Sequence, residues 1–161
     1  MTGLTNAYID KFGKDLFGKE YLGCHPCDSN PRINKRKQFF SIIFNLSKHN
    51  DKEGTHFIAV YANPINIIYF DSFGKSCSNK YIKKFIKINK HNRILKMNKT
   101  PIQHLDSIYC GFFCLAFIIS QKKNIQMKNF INVFDSKHLK KNDNIVIEFI
   151  INEIKNCNNT K

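Results

Sequence analysis

Apolar side chains recur at helical spacing over about residues 4–18 (Leu4, Tyr8, Ile9, Phe12, Leu16), which predicts a short amphipathic helix. Residues 21–37 break that period. Two prolines and a cluster of basic side chains predict a loop there. The pattern then shifts to short runs of β-branched and aromatic residues. "QFFSIIFNL" (38–46), "THFIAVYA" (55–62) and "NIIYFDS" (66–72) each read as a strand. The polar stretch "SKHNDKEG" separates the first from the second, and Asn63-Pro64 turns the second into the third, so the last two are expected to form a hairpin. Tyr81, Ile82, Phe85 and Ile86 share one face of a predicted helix over 78–88, whose outer side is basic. "RILKM" (93–97) reads as a short strand and "NKTPIQHLDSIY" (98–109) as a loop. An apolar helix is expected to begin near Cys110 ("CGFFCLAFIIS", 110–120). Two further amphipathic helices follow at 126–134 and 142–154, and the residues from Asn156 onward are expected to fray.

Strands and helices do not alternate regularly in this pattern. The expected fold class is therefore α+β, a small, mainly antiparallel or mixed sheet flanked by helices, and not a doubly wound parallel sheet. With 161 residues the chain can bury one substantial core but not comfortably two, so residues 1–161 are expected to form a single domain.

Composition narrows the class. The chain is 42% apolar, too rich for a disordered segment. No apolar run reaches the roughly 18 residues that a membrane span needs. Charged residues interrupt the apolar positions of "MTGLTNAYIDKFGKDLF", so no secretory signal is read there, and the expected location is cytosolic, nuclear or inside a virion. Lys and Arg total 26 against 12 acidic residues, a formal net charge of +14. Such an excess favours a polyanionic partner, most simply DNA or RNA. A genomic bias toward Lys, Asn and Ile codons would produce the same excess without any partner.

Six cysteines, at 24, 27, 77, 110, 114 and 157, are expected to be reduced thiols, because no secretory signal accompanies them. Cys24-His25-Pro26-Cys27 is a lone CxxC. That spacing suits a redox dithiol or half of a zinc site. No second CxxC or HxxxH pair completes a zinc site, and the "DSNPRINKRK" that follows lacks the apolar helical face a redox motif wants.

Cys110 carries the strongest chemical signal. Cysteine attacks as its thiolate, and a helix N-terminus favours an anion there through unpaired N–H groups and the helix dipole. Gly111 would let backbone and substrate approach closely. His56 could act as the base. Asp71, on the neighbouring strand, could accept its Nδ1–H, and Gln103 with the Cys110 N–H could donate to an oxyanion. Each residue alone has an ordinary alternative: a buried small hydrophobe (also the reading for Cys114), a satisfied histidine, a turn-forming aspartate, an uninformative glutamine.

Taken in order, "GTHFIAVY", "IIYFDSFG" and "IQHLDSIYCGFFCLAF" resemble the adenovirus maturation protease (adenain) and its relatives in virophages and Polinton-type elements. That group is in turn similar to the proteases that process ubiquitin-like modifiers. "YLGCHPCDSNP" and "NDNIVIEFI" resemble further family segments, so the likeness covers roughly residues 20–150, and CHPC becomes a variant of a family loop. The resemblance implies His56 as general base, Asp71 as its orienter, Gln103 as oxyanion donor and Cys110 as nucleophile of a cysteine endopeptidase. It implies viral capsid or core precursors as substrates, cut near small residues such as glycine. It also implies a site of action in the virion and the host-cell interior and stimulation by DNA; a monomer with no membrane partner and no other cofactor is expected. Phe57 stands where the family usually has Trp and is expected to pack over the site. No cysteine near Asn92–Leu95 matches the one adenain uses to bind an activating peptide, and Cys77 is elsewhere. Two other functions remain open: a ubiquitin-like-modifier protease, and a non-catalytic basic nucleic-acid-binding protein.

Overall fold

A computed structural model of the chain describes residues 4–51 and 56–159, with side chains through residue 156. The three β-rich runs form the centre of a sheet: β2 (Phe40–Asn45), β3 (Phe57–Ala62) and β4 (Asn66–Phe70) pair antiparallel in sequence. A parallel strand flanks them on each side, β1 (Tyr21–Pro26) beside β2 and β5 (Ile94–Met97) beside β4. The sheet is thus mixed, in the order β1-β2-β3-β4-β5. Its helices are α1 (Asn6–Phe17), α2 (Lys80–Lys90), α3 (Cys110–Lys122), α4 (Met127–Ile131) and α5 (Asn142–Asn159).

Both faces of the sheet are covered. Along β3, Phe57, Ala59 and Tyr61 face a layer built with α1, α3 and α5, where Ile9, Phe113, Phe117, Val146 and Ile150 are buried. Ile58, Val60 and Ala62 face the opposite layer, filled by Phe40, Phe44 and the Ile82, Phe85 and Ile86 side of α2. Burial on both faces explains why β3 is apolar at every position and does not alternate. Aromatic rings tie the layers: Phe70 stacks on Phe117 at 4.4 Å, and Phe85 meets Phe44 edge-on at 5.1 Å.

Three expectations change. Residues 21–26 are a strand, not loop. Tyr21 pairs with Ser41 and Cys24 with Ile43, with an irregularity between them where Gly23 takes φ +108°. Asp10 of α1 accepts a hydrogen bond from the Cys24 N–H at 3.1 Å, a long-range anchor with no local signature. The sheet itself is mixed, with an antiparallel centre and a parallel strand at each edge, within the expected α+β class. The helix expected over 126–134 is helical only at Met127–Ile131. Two further turns bring Phe134 into the core. The last helix continues to Asn159, past the point where fraying was expected. Gly54 and Thr55, part of the motif around His56, lie outside the described residues, as do residues 160 and 161.

Candidate active site

His56 directly precedes β3 and Asp71 directly follows β4, so the β3–β4 pairing brings them to one end of the sheet. Continuing the register in which Ala59 faces Phe70, Asp71 falls opposite Ile58 and diagonal to His56. The two side chains bridge that diagonal with a 2.8 Å hydrogen bond between His56 Nε2 and Asp71 Oδ1. Both residues are buried. Asp71 is held from several directions. Its Oδ1 also accepts from the Phe73 N–H (2.8 Å), and its carbonyl accepts from the Gly74 N–H (2.8 Å). Asn98, the residue after β5, accepts from the Asp71 N–H at 2.9 Å and donates to the Asp71 carbonyl at 2.6 Å. Gly74 is required in this turn. Its φ is +67°, and a Cβ would stand 2.7 Å from the Pro101 nitrogen.

The ring faces Asp71 through Nε2, whereas Nδ1 was expected. Nδ1 is buried and has no hydrogen-bond partner among the described residues. Burial pulls the His56 pKa down. The hydrogen bond to Asp71, the proximity of the Cys110 thiol, and the negative charge these groups can carry outweigh it and raise the pKa to about 9. The ring that stacks on His56 is Phe73, at 4.4 Å between centroids and 22° between planes, with Lys75 Nζ 5.3 Å from the Phe73 centroid. Phe57 lines the cleft and joins the core.

Cys110 is the first residue of α3, and the preceding Tyr109 supplies no side-chain cap. The unused N–H groups of that turn make it favourable for an anion. Cys110 and His56 line the same cleft of about 630 Å³, together with Leu4, Phe73, Ser107 and Ile108. Gly111 serves packing and not substrate approach: the space a side chain would take is held by Ile9, whose Cδ1 lies 2.7 Å from the Cβ position, and by Leu4. Cys114, one turn on, is fully buried, and burial raises its thiol pKa well above the ordinary range.

Gln103 is also buried. Its loop is tied to the segment after Asp71, because the Ser72 carbonyl accepts from the Ile102 N–H (2.9 Å) and the Gln103 N–H (3.1 Å). Its side-chain Oε1 accepts from Ser72 Oγ at 2.5 Å, and its Nε2 donates to the Ser107 carbonyl (2.9 Å) and Oγ (3.0 Å). At this point the cleft wall is Ser107.

The CxxC motif does not assemble a dithiol. Cys24 packs against the layer of α1 and α3, whereas Cys27 is buried in the layer of α2. Burial, then the Asp10 carboxylate, pushes the Cys24 thiol up to about 12. Phe73, Asn98, Ser72 and Ser107 are site residues that sequence reasoning missed. Phe73 had a signal, since it lies within "DSFG". The others are single polar residues in loops and carry none.

No protein-family model matches the chain, and no curated protein sequence does. Solved structures do match. The mixed five-stranded sheet flanked by helices is the Ulp1- and adenain-like protease fold. One such structure is the ASFV pS273R protease, with a TM-score of 0.62 and 16% identity over 88% of this chain. The chain spans 66% of that protein's length. Another is the C-terminal Ulp1 protease domain in complex with Smt3, the yeast ortholog of SUMO. It has a TM-score of 0.50 and 13% identity, covering 94% of this chain and 78% of that one. At these identities the likeness is one of fold.

Proposed function

We propose that the chain is a cysteine endopeptidase in which Cys110 is the nucleophile, His56 the general base and acid, Asp71 its orienter, and Gln103 with the Cys110 N–H the oxyanion donors. One observation carries this reading: a buried 2.8 Å His56–Asp71 bond shares a cleft with a thiol at the uncapped start of a helix. The Cys110 proton passes to His56 Nδ1. With the ring pKa near 9, the imidazolium is favoured at neutral pH, and it in turn favours the thiolate. Sγ attacks the peptide carbonyl carbon, forming a C–S bond and an oxyanion. His56 returns the proton to the amine nitrogen as the C–N bond breaks. A water molecule then gives a proton to His56 and attacks the thioester, the C–S bond breaks, and the carboxylic acid leaves.

The proposed substrates are viral capsid or core precursors cut near glycine, within the virion and the infected cell, by a monomeric single-domain enzyme. The fold shared with the ASFV pS273R protease supports this choice. The exposed side of α2, with Lys80, Lys83, Lys84, Lys87 and Lys90, adds a basic surface through which DNA would bring enzyme and packaged substrate together. Co-expression with a capsid precursor tests the reading: Cys110→Ala should abolish processing, and undiminished processing would overturn it.

The Ulp1 likeness, which covers 94% of this chain, favours a second reading, a protease of ubiquitin-like modifiers. Covalent capture by a vinyl or aldehyde probe built on such a modifier, without capsid cleavage, would select it. A silent nucleic-acid-binding protein would show no Cys110 that alkylates unusually fast at mildly acidic pH.

A further inference from the structure

The loop that carries Gln103 is clamped by the first two residues of α5. Asn142, fully buried, donates through Nδ2 to the Ile102 carbonyl at 2.9 Å, at the upstream end of the loop. The same nitrogen donates to the Asp135 carbonyl (2.9 Å), and Asn142 Oδ1 accepts from the Asp135 N–H (2.9 Å), so this end is fixed on both sides. Asp143, the next residue, takes the downstream end. Its Oδ1 accepts from Ser107 Oγ at 2.7 Å. The rest of α5 packs against α3 through Val146 and Ile150 in the shared core, so the clamp is referenced to the helix that begins with Cys110.

Proton accounting along this chain of bonds gives Asp143 a specific task. A hydroxyl has one hydrogen, and Ser107 gives its own to Asp143. Its oxygen lone pairs are then directed to the two donors that reach it, Gln103 Nε2 (3.0 Å) and the Tyr109 N–H (3.3 Å). At the other end of the Gln103 amide, the Ser72 hydroxyl donates to Oε1. The amide is therefore held with its NH₂ end toward Ser107, the residue that lines the cleft beside Cys110. Were Ser107 free to turn its hydrogen toward Gln103, it would meet an N–H and not an acceptor, and the amide would lose its anchor.

We infer that Asp143 is a positioning residue of the oxyanion hole, acting through Ser107 on the Gln103 amide. The inference rests on the protease reading above. In the resting arrangement both Nε2 hydrogens go to Ser107. An oxyanion forming at Cys110 competes for one of them, and the Ser107 carbonyl keeps the other, so the donor swings from a fixed pivot. The effect belongs to steps that place negative charge on a carbonyl oxygen. Alkylation of Cys110, which forms no oxyanion, does not depend on it.

The test uses the full chain and three probes: a fluorogenic peptide amide with two glycines before the scissile bond, a peptidyl glycine aldehyde, and iodoacetamide with peptide mapping of Cys110. Asp143→Ala and Ser107→Ala are each expected to lower kcat about tenfold at unchanged KM and to weaken aldehyde binding about tenfold, a fraction of the loss seen when an oxyanion donor is removed outright. The rate of Cys110 alkylation should stay that of the unmodified chain. Asp143→Asn, whose side-chain oxygen can still accept from Ser107, should restore most of the activity. Unchanged kcat and aldehyde affinity in Asp143→Ala, beside an active unmodified chain, would overturn the inference alone. So would an equal loss of alkylation, which would mark a merely structural role. An unmodified chain that neither cleaves the amide nor takes the aldehyde, and whose Cys110 alkylates like an ordinary thiol, would overturn the protease reading and this inference with it.

Discussion

Cys24 and Cys110 make an instructive pair. Each lies at or near the end of a regular element, and each has a histidine for a neighbour: His25 next in the chain for Cys24, and His56 brought from far upstream for Cys110. The near histidine does nothing for its thiol, since His25 Nε2 is hydrogen-bonded to the Leu22 carbonyl at 2.8 Å. Cys24 instead has the Asp10 carboxylate nearby, and burial together with that negative charge pushes its pKa to about 12. Cys110 meets the opposite surroundings, a ring held protonated to about pH 9 and an uncapped helix start. The same side chain is thus placed once as core filler and once where the proposed function makes it the nucleophile. The sign of the facing charge, not proximity in sequence, makes the difference.

The harshest test of that contrast is His56→Ala. Without base or imidazolium, kcat should fall by about a thousandfold or more, and rapid alkylation of Cys110 at pH 6 should disappear while Cys24 stays as slow as before. Retained alkylation of Cys110 would mean that the helix start alone activates it.

Asp71→Asn probes the same charge more gently. The His56 pKa lies above its ordinary value of 6.5, so its contribution to folding is fully present below about pH 6.5 and is lost as pH rises through about 9. The unmodified chain should therefore lose on the order of 3 kcal/mol of stability across that window, read by urea unfolding at several pH values. In Asp71→Asn the effect of burial on the ring is no longer offset by a carboxylate, the ring pKa drops, and the stability loss over the window should largely vanish. Turnover should fall about a hundredfold or more, because the tautomer and the imidazolium both lose their partner. A pH dependence of stability identical to the unmodified chain would show that Asp71 does not set the ring's charge.

The residues of this pair were not equally legible in the sequence. β3 and β4 announce themselves as β-branched and aromatic runs, and Cys110 opens a long apolar segment, so the framework of the site could be read directly. "YLGCHP" has a glycine, a histidine and a proline and no alternation. It becomes β1 only through its pairing with β2 and the Asp10 anchor fourteen residues upstream of Cys24. Asn98, Ser107 and Asp143 are common polar residues whose importance lies in whom they touch, and contact across the chain leaves no periodic trace. Which ring nitrogen faces Asp71 is likewise a matter of side-chain rotation, to which spacing is blind.

Gly13→Ala addresses the structural side of the contrast. A Cβ on Gly13 would overlap the ring of Tyr21, which begins the strand carrying Cys24. The overlap falls on a buried aromatic, so α1 and β1 must part, at a cost of about 1–3 kcal/mol. If the Cys24 segment is only a packing element, Gly13→Ala lowers the unfolding midpoint yet leaves the rate of Cys110 alkylation in the folded state unchanged. A change in that rate would couple the two segments.

The smallest effect is expected at Cys24 itself. With its pKa near 12, only about one thiol in ten thousand is ionised at pH 8, so labelling by iodoacetamide should be far slower than for an exposed cysteine. Cys24→Ser should keep turnover within about twofold. Mild oxidation with diamide should not join Cys24 to Cys27, because one thiol packs with α1 and α3 and the other with α2, on opposite faces of the sheet. A disulfide needs its two Cβ atoms within about 4.5 Å and pointing toward each other, and Cys24 in β1 and Cys27 just after it, packed in different layers, do not offer that without disruption of the end of β1. Mass spectrometry of the oxidised chain reads the outcome. A Cys24–Cys27 bridge formed as readily as in an unfolded peptide would make the motif a working redox pair after all, and would erase the distinction between the two segments.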